Sequence, residues 1–248
     1  MFRVLRPALT IIVSIACLNL AHAAGGVYVD SVKITNGKNV VLSEEFNKGN
    51  LEKWTNVRDA WTVCDEAGKL CSLCLNVSSS KYMAAATRLL HIETAGAIDH
   101  QAAFNIAPLE EQAPDLLKSG CEFTLSLYTK DATYQIDAEI QLSSTGYCTL
   151  ALRDYRRRGG TFDAKRDITR VRLRNAPLMK WATLALHLDP DTSTATAVLD
   201  GVPLVTRDYN PEHYRTIEMV GVTSTFGDAV AHPEAVFMPP AKPVSQTK

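Results

Sequence analysis

The residues in this chain best placed to do chemistry form an alternating row, Asp137-Ala138-Glu139-Ile140-Gln141. On an extended strand alternate side chains share one face at ~6.6–6.8 Å spacing, so Asp137 and Glu139 would stand side by side as a general acid/base pair. The next position on that face is Gln141, whose amide cannot protonate a leaving oxygen. Asp137 and Glu139 are therefore weak catalytic candidates, and a solvated strand face backed by Ile136, Ala138, Ile140 and Leu142 explains the pattern equally simply. The second chemical feature is basic. Between residues 153 and 174 stand Arg153, Arg156, Arg157, Arg158, Lys165, Arg166, Arg170, Arg172 and Arg174, against only Asp154, Asp163 and Asp167.

Within that segment Thr169-Arg170-Val171-Arg172-Leu173-Arg174 alternates, which directs the three arginines to one face and Val171 and Leu173 inward. Guanidinium rows hold carboxylates or sulfates through paired hydrogen bonds, so Arg153, Tyr155, Arg170, Arg172 and Arg174 are the candidate ligand-binding set, and an acidic glycan fits them. Neutralisation across strands by Asp137 and Glu139 is the competing expectation. No Gly-x-Ser-x-Gly, His-Glu-x-x-His, phosphate loop or dinucleotide fingerprint occurs. His91, His100, His187, His213 and His232 are scattered.

These side chains need strands to position them, and the sequence supplies many. Val27 to Ile34 stops at Asn36-Gly37, a strong hairpin signal, before Val40-Val41-Leu42 resumes. Residues 121–127, 134–142, 147–152, 169–173, 182–188, 194–199 and 217–222 read as further strands bounded by Gly, Pro, Asn, Asp or Ser. One short helical turn fits within 107–118, limited by its prolines. Many short strands at such spacing predict an all-β sandwich or barrel in one domain.

The 248 residues have a net charge of −1, which gives no electrostatic reason to expect nucleic acid as a partner. At the start, Arg3 and Arg6 precede an apolar run from Leu9 to Leu20 and an Ala21-His22-Ala23 site. That pattern predicts a secretory signal peptide over 1–23, too short for a stable membrane span, and places the protein in the periplasm or outside the cell. Lipid anchoring at Cys17 is the less favoured alternative, since Ser14 stands where such sites want Leu or Val. Beyond residue 23 remain Cys64, Cys71, Cys74, Cys121 and Cys148, an odd set for which an oxidising compartment predicts disulfides with at least one unpaired thiol. From His232 the chain is Pro-rich and polar, the composition of a loose tail over 232–248.

Two phrases carry a family resemblance. Leu42-Ser43-Glu44-Glu45-Phe46-Asn47-Lys48-Gly49-Asn50-Leu51-Glu52-Lys53-Trp54, followed by Ala60-Trp61-Thr62-Val63, resembles the opening of concanavalin A-like lectin/glucanase domains. Lys180-Trp181-Ala182-Thr183-Leu184-Ala185-Leu186, then Ala195-Thr196-Ala197-Val198-Leu199-Asp200-Gly201, is similar to a late hairpin of the same superfamily. The resemblance implies a jelly-roll β-sandwich of two antiparallel sheets over 24–231, with Trp54 and Trp61 as core anchors and one curved sheet offering its hollow face to a saccharide. It also implies that members cleaving β-glucans carry Glu-x-Asp-x-Glu on one strand, a pattern the Asp137-to-Gln141 row does not complete. Calcium is a minor family-linked expectation, with Asp30, Glu45 and Asn47 as oxygen donors; no other cofactor is implied.

The leading function is accordingly noncatalytic binding of a polysaccharide, an acidic one by the arginine row. Alternatives are a glycan-degrading hydrolase, a polysaccharide lyase using Tyr134, Tyr147, Tyr155 or His187 as base, and a structural or protein-interaction module.

Overall fold

The computed structural model describes residues 26–46, 53–57, 61–64, 72–75, 83–107, 121–143, 147–158, 161–162, 167–175, 177 and 180–226. The expected signal peptide, Cys17, Cys71, Asn47, most of 107–118 and the expected tail lie outside these residues. Sixteen strands follow in order: β1 (Gly26–Asn36), β2 (Asn39–Glu45), β3 (Thr55–Val57), β4 (Trp61–Cys64), β5 (Ser72–Leu75), β6 (Met83–Glu93), β7 (Ile98–Ala107), β8 (Cys121–Tyr128), β9 (Tyr134–Leu142), β10 (Cys148–Arg158), β11 (Thr161–Phe162), β12 (Asp167–Leu173), β13 (Ala182–Asp189), β14 (Thr194–Leu199), β15 (Val202–Asp208) and β16 (Thr216–Phe226). The 3-10 turns Lys130–Ala132 and Pro211–Tyr214 interrupt them.

The strands form two antiparallel sheets. One runs β15-β14-β13-β7-β1-β5-β4, with β2 also on β1; the other runs β11-β10-β9-β8-β16-β6-β3, with β12 also on β10. The β1–β2 hairpin turns at Gly37, whose φ of 57° suits a residue without a Cβ. β13 and β14 pair through Leu184↔Leu199, and Asp200-Gly201, both left-handed, lead into β15.

The sheets pack face to face because their strands alternate. On β8, Phe123, Leu125 and Leu127 enter the core, and on β9 Ile136, Ala138, Ile140 and Leu142 do the same. Phe123 stacks on Phe104 of β7 with ring centroids 4.8 Å apart, joining the two layers. Trp54 is buried as expected, edge-on to Phe46 at 5.8 Å. His100 points into this core fully buried, and burial holds its pKa down at about 3 against a backbone hydrogen bond with Ser126, so it is neutral.

The odd cysteine count requires at least one unpaired thiol, and the described residues hold two. Cys121 and Cys148 are buried free thiols, each in register with Leu142 from opposite sides. They stand two strands apart, about 9.5 Å by strand spacing, beyond the ~4.4–6.8 Å that a disulfide spans. Burial pushes both thiols up, to about 12 and about 11.

Candidate functional site

The residues opposite the core on β8, β9, β10 and β16 are polar. Register sets them in rows across the sheet. One row reads Arg170, Ala151, Glu139, Thr124, Thr223; the next reads Arg153, Asp137, Ser126, Gly221, Thr87; a third reads Arg172, Thr149, Gln141, Glu122, Thr225. Asp137 and Glu139 do share a face, flanked by side chains that lie far away in sequence.

This polar face is closed. Glu122, Asp137, Glu139 and Arg153 are 6, 4, 1 and 7% exposed, and Tyr128 and Tyr155 are buried beside them. Glu139 pairs with Arg153, whose Nη1 also donates to the Tyr155 hydroxyl at 3.2 Å. Gln135 Nε2 donates to both Asp137 carboxylate oxygens at 2.9 Å, and Thr124 Oγ1 donates to Glu122 Oε1 at 3.2 Å. Three carboxyls thus face one guanidinium. Burial lifts Asp137 to about 7, against hydrogen bonds from Gln135 and Ser126 and the charge of Arg153 that favour ionisation. Burial, then the neighbouring Glu122 carboxylate, holds Glu139 well above the usual carboxylate range. The cluster therefore retains protons at neutral pH. Arg153 Nε, Thr223 Oγ1 and Thr225 Oγ1 are buried on this face without hydrogen-bond partners.

The basic row divides. Arg153 and Tyr155 belong to the closed cluster. Arg170 and Arg172 stand exposed on β12, which among the described residues pairs with β10 alone, while Val171 and Leu173 pack toward the core as the alternation predicts. Arg174 lies just past the strand end, also exposed. The expected neutralisation by Glu139 does not occur: Glu139 turns to Arg153, and no ion pair to Arg170, Arg172 or Arg174 forms among the described residues. Arg172 instead lies 3.7 Å above the exposed Tyr147 ring, a cation–π contact. Of the remaining base candidates, Tyr134 stacks on His213, and His187 bonds Asp99 on the far side of the other sheet through Nδ1 at 2.7 Å. Among the described residues no group of three His, Cys, Asp or Glu side chains is placed to hold a metal. Asp30 and Glu45 therefore find no third such ligand there, and Asn47 lies outside those residues.

Glu122, Ser126, Tyr128 and Gln135 were missed from the sequence. Their signal was present as Glu122-Phe123-Thr124-Leu125-Ser126-Leu127-Tyr128, a period-2 polar face, and as Gln135-Ile136-Asp137-Ala138-Glu139, which places the three-residue row two positions earlier than the Asp137-to-Gln141 reading.

Among solved structures, a family 16 glycoside hydrolase endo-glucanase from Bacteroides ovatus, in complex with an oligosaccharide, superposes with a TM-score of 0.50, at 11% identity over 74% of this chain and 85% of that one. This chain has the concanavalin A-like jelly-roll fold. The carbohydrate-binding module CBM66 from Bacillus subtilis matches at TM-score 0.44 and 12% identity over 72% of this chain and 94% of that one. A κ-carrageenase from Pseudoalteromonas carrageenovora matches at 0.48 and 12% over 85% and 86%. No family model matches the chain, and no curated protein matches it significantly. The jelly roll explains why strands so distant in sequence converge on one polar face. It assigns no activity, because a fold is a scaffold for many sites.

Proposed function

We propose that this jelly roll is an exported glycan-binding domain that takes an acidic polysaccharide along β12 without cleaving it. The observation that carries the reading is the pair Arg170 and Arg172, two guanidinium groups on one face of an edge strand, exposed and without carboxylate partners among the described residues. Alternate residues repeat at ~6.6–6.8 Å, so a strand face presents donors in a line that a chain of anionic sugars can follow. Arg172 and Tyr147 together offer a charged and aromatic end to that line.

The closed carboxyl cluster supports binding over catalysis. A glycosidase places two carboxyls against opposite sides of a scissile bond, so both must reach the substrate. Asp137 and Glu139 are shut away from solvent, and Glu139 is already committed to Arg153. Affinity electrophoresis tests the reading: the wild type is retarded in gels containing a uronate-rich polysaccharide and runs freely through a neutral glucan. The Arg170→Ala/Arg172→Ala variant loses most of the retardation. Equal retardation of wild type and variant refutes the proposal, and new reducing ends or unsaturated products in the same incubation favour the enzyme instead.

A further inference from the structure

At one end of the second sheet, the turn after β8, the start of β9, the 3-10 turn before β16 and the first residues of β16 surround a shallow pocket of about 320 Å³. That volume is at the low end of the ~300–1,000 Å³ typical of small-molecule sites. Lys130, Thr133, Tyr134, Glu212, His213 and Arg215 line it. We infer that this pocket binds a small hydroxylated monocarboxylate, of the size and chemistry of a single uronic acid.

The walls are built and held. Tyr134 and His213 stack nearly parallel, 12° apart with centroids at 3.9 Å, so each ring covers one face of the other. The imidazole is held in orientation by Asn210. Asn210 Oδ1 accepts from the Glu212 backbone N–H at 3.1 Å, which leaves its Nδ2 to donate to His213 Nε2 at 3.2 Å. With Nε2 facing the amide N–H donor, Nδ1 is the ring nitrogen left without a partner among the described residues. On the opposite rim, Asp131 and Ala132 are both left-handed, with φ of 54° and 48°, and Thr133 N–H closes the turn onto the Lys130 carbonyl at 3.1 Å. Buried Ala132 packs with Tyr128 and Met219, which pins the turn that carries Lys130.

The charge at this rim favours a negative group. Arg215 is bridged by Glu212 at 2.5 Å, whereas Lys130 has no such partner among the described residues. The Lys130 ammonium stands at the same wall as the imidazole, and the Arg156 guanidinium lies 5.7 Å over the Tyr134 ring, a set that suits a carboxylate. Thr133 and Thr216 hydroxyls at the wall suit a ligand with its own hydroxyls, and the Tyr134–His213 stack adds apolar ring carbon at the same wall.

The test titrates the full chain with monomeric glucuronate, glucose and acetate, following the Tyr134 and His213 ring signals by NMR. Glucuronate is expected to give saturable shifts, with glucose and acetate at least fivefold weaker. Lys130→Ala is expected to weaken glucuronate at least fivefold, and Glu212→Gln, which frees Arg215, to tighten it at least twofold. The Arg170→Ala/Arg172→Ala variant is expected to bind glucuronate as the wild type does, which separates this pocket from the β12 reading. Glucose or acetate matching glucuronate, Lys130→Ala binding unchanged, or no gain from Glu212→Gln overturns the inference.

Discussion

Replacing Asp137 by Asn should make the protein more stable at alkaline pH, with an advantage over wild type that builds as pH rises from 5. In the folded state the Asp137 carboxyl is lifted from 3.8 to about 7, chiefly by burial, so between those values the folded chain holds a proton that the unfolded chain has released. Stability then falls as pH rises through this window, because the unfolded state binds fewer protons than the native one. Each tenfold change in proton concentration is worth ~1.4 kcal/mol, so the span from pH 5 to about pH 7 costs the wild type about 3 kcal/mol at this one position. The uncharged amide of the Asp137→Asn variant carries no such dependence. It loses one hydrogen bond from Gln135, about 1 kcal/mol, but that loss is the same at every pH and cancels in the comparison. Urea unfolding of both proteins at pH 5 and pH 8 measures the effect. The variant's stability relative to wild type should rise by about 2–3 kcal/mol between the two. A difference that stays constant with pH would refute the claim that Asp137 is a buried, proton-retaining carboxyl.

Two further outcomes follow from contacts elsewhere. Phe46→Ala removes the edge-on partner of Trp54 and should cost about 3–5 kcal/mol, read as a lower urea midpoint with an unchanged slope. Asp99→Asn breaks the half-exposed pair with His187, in which the aspartate is lowered and the histidine raised by their mutual hydrogen bond. The pair contributes only where both are charged, above the ordinary aspartate range and below the raised histidine value. The substitution should therefore cost about 0.5–1 kcal/mol at pH 6 and little at pH 9 in the same unfolding assay.

The strands legible in the sequence were those whose alternation was driven by large side chains. β8, β9, β12 and β13 appear almost where Leu, Ile and Val recur at period two, and β14 is the exception, legible from its Thr–Ala alternation over 194–197. β6 was not legible because Ala84-Ala85-Ala86 has low strand propensity, and β15 because Pro203 interrupts it, although an edge strand tolerates proline. The site was legible in half. Asp137 and Glu139 could be placed on one face from their spacing alone. That Arg153 would turn inward to Glu139 while Arg170 and Arg172 stayed outside could not, since one basic stretch of sequence supplies both an interior strand and the edge strand beside it. Charge composition measures the segment, whereas pairing depends on register with β9.

The proposed binding edge is tested most directly by the arginine side-chain Nε–Hε signals of the protein titrated with a short oligouronate. The account predicts saturable shifts of Arg170 and Arg172 together with the Tyr147 ring, and silence from Arg153, which is shut behind Glu139. Shifts confined to Arg153 and the β8–β9 carboxyl face, with Arg170 and Arg172 unmoved, would contradict it.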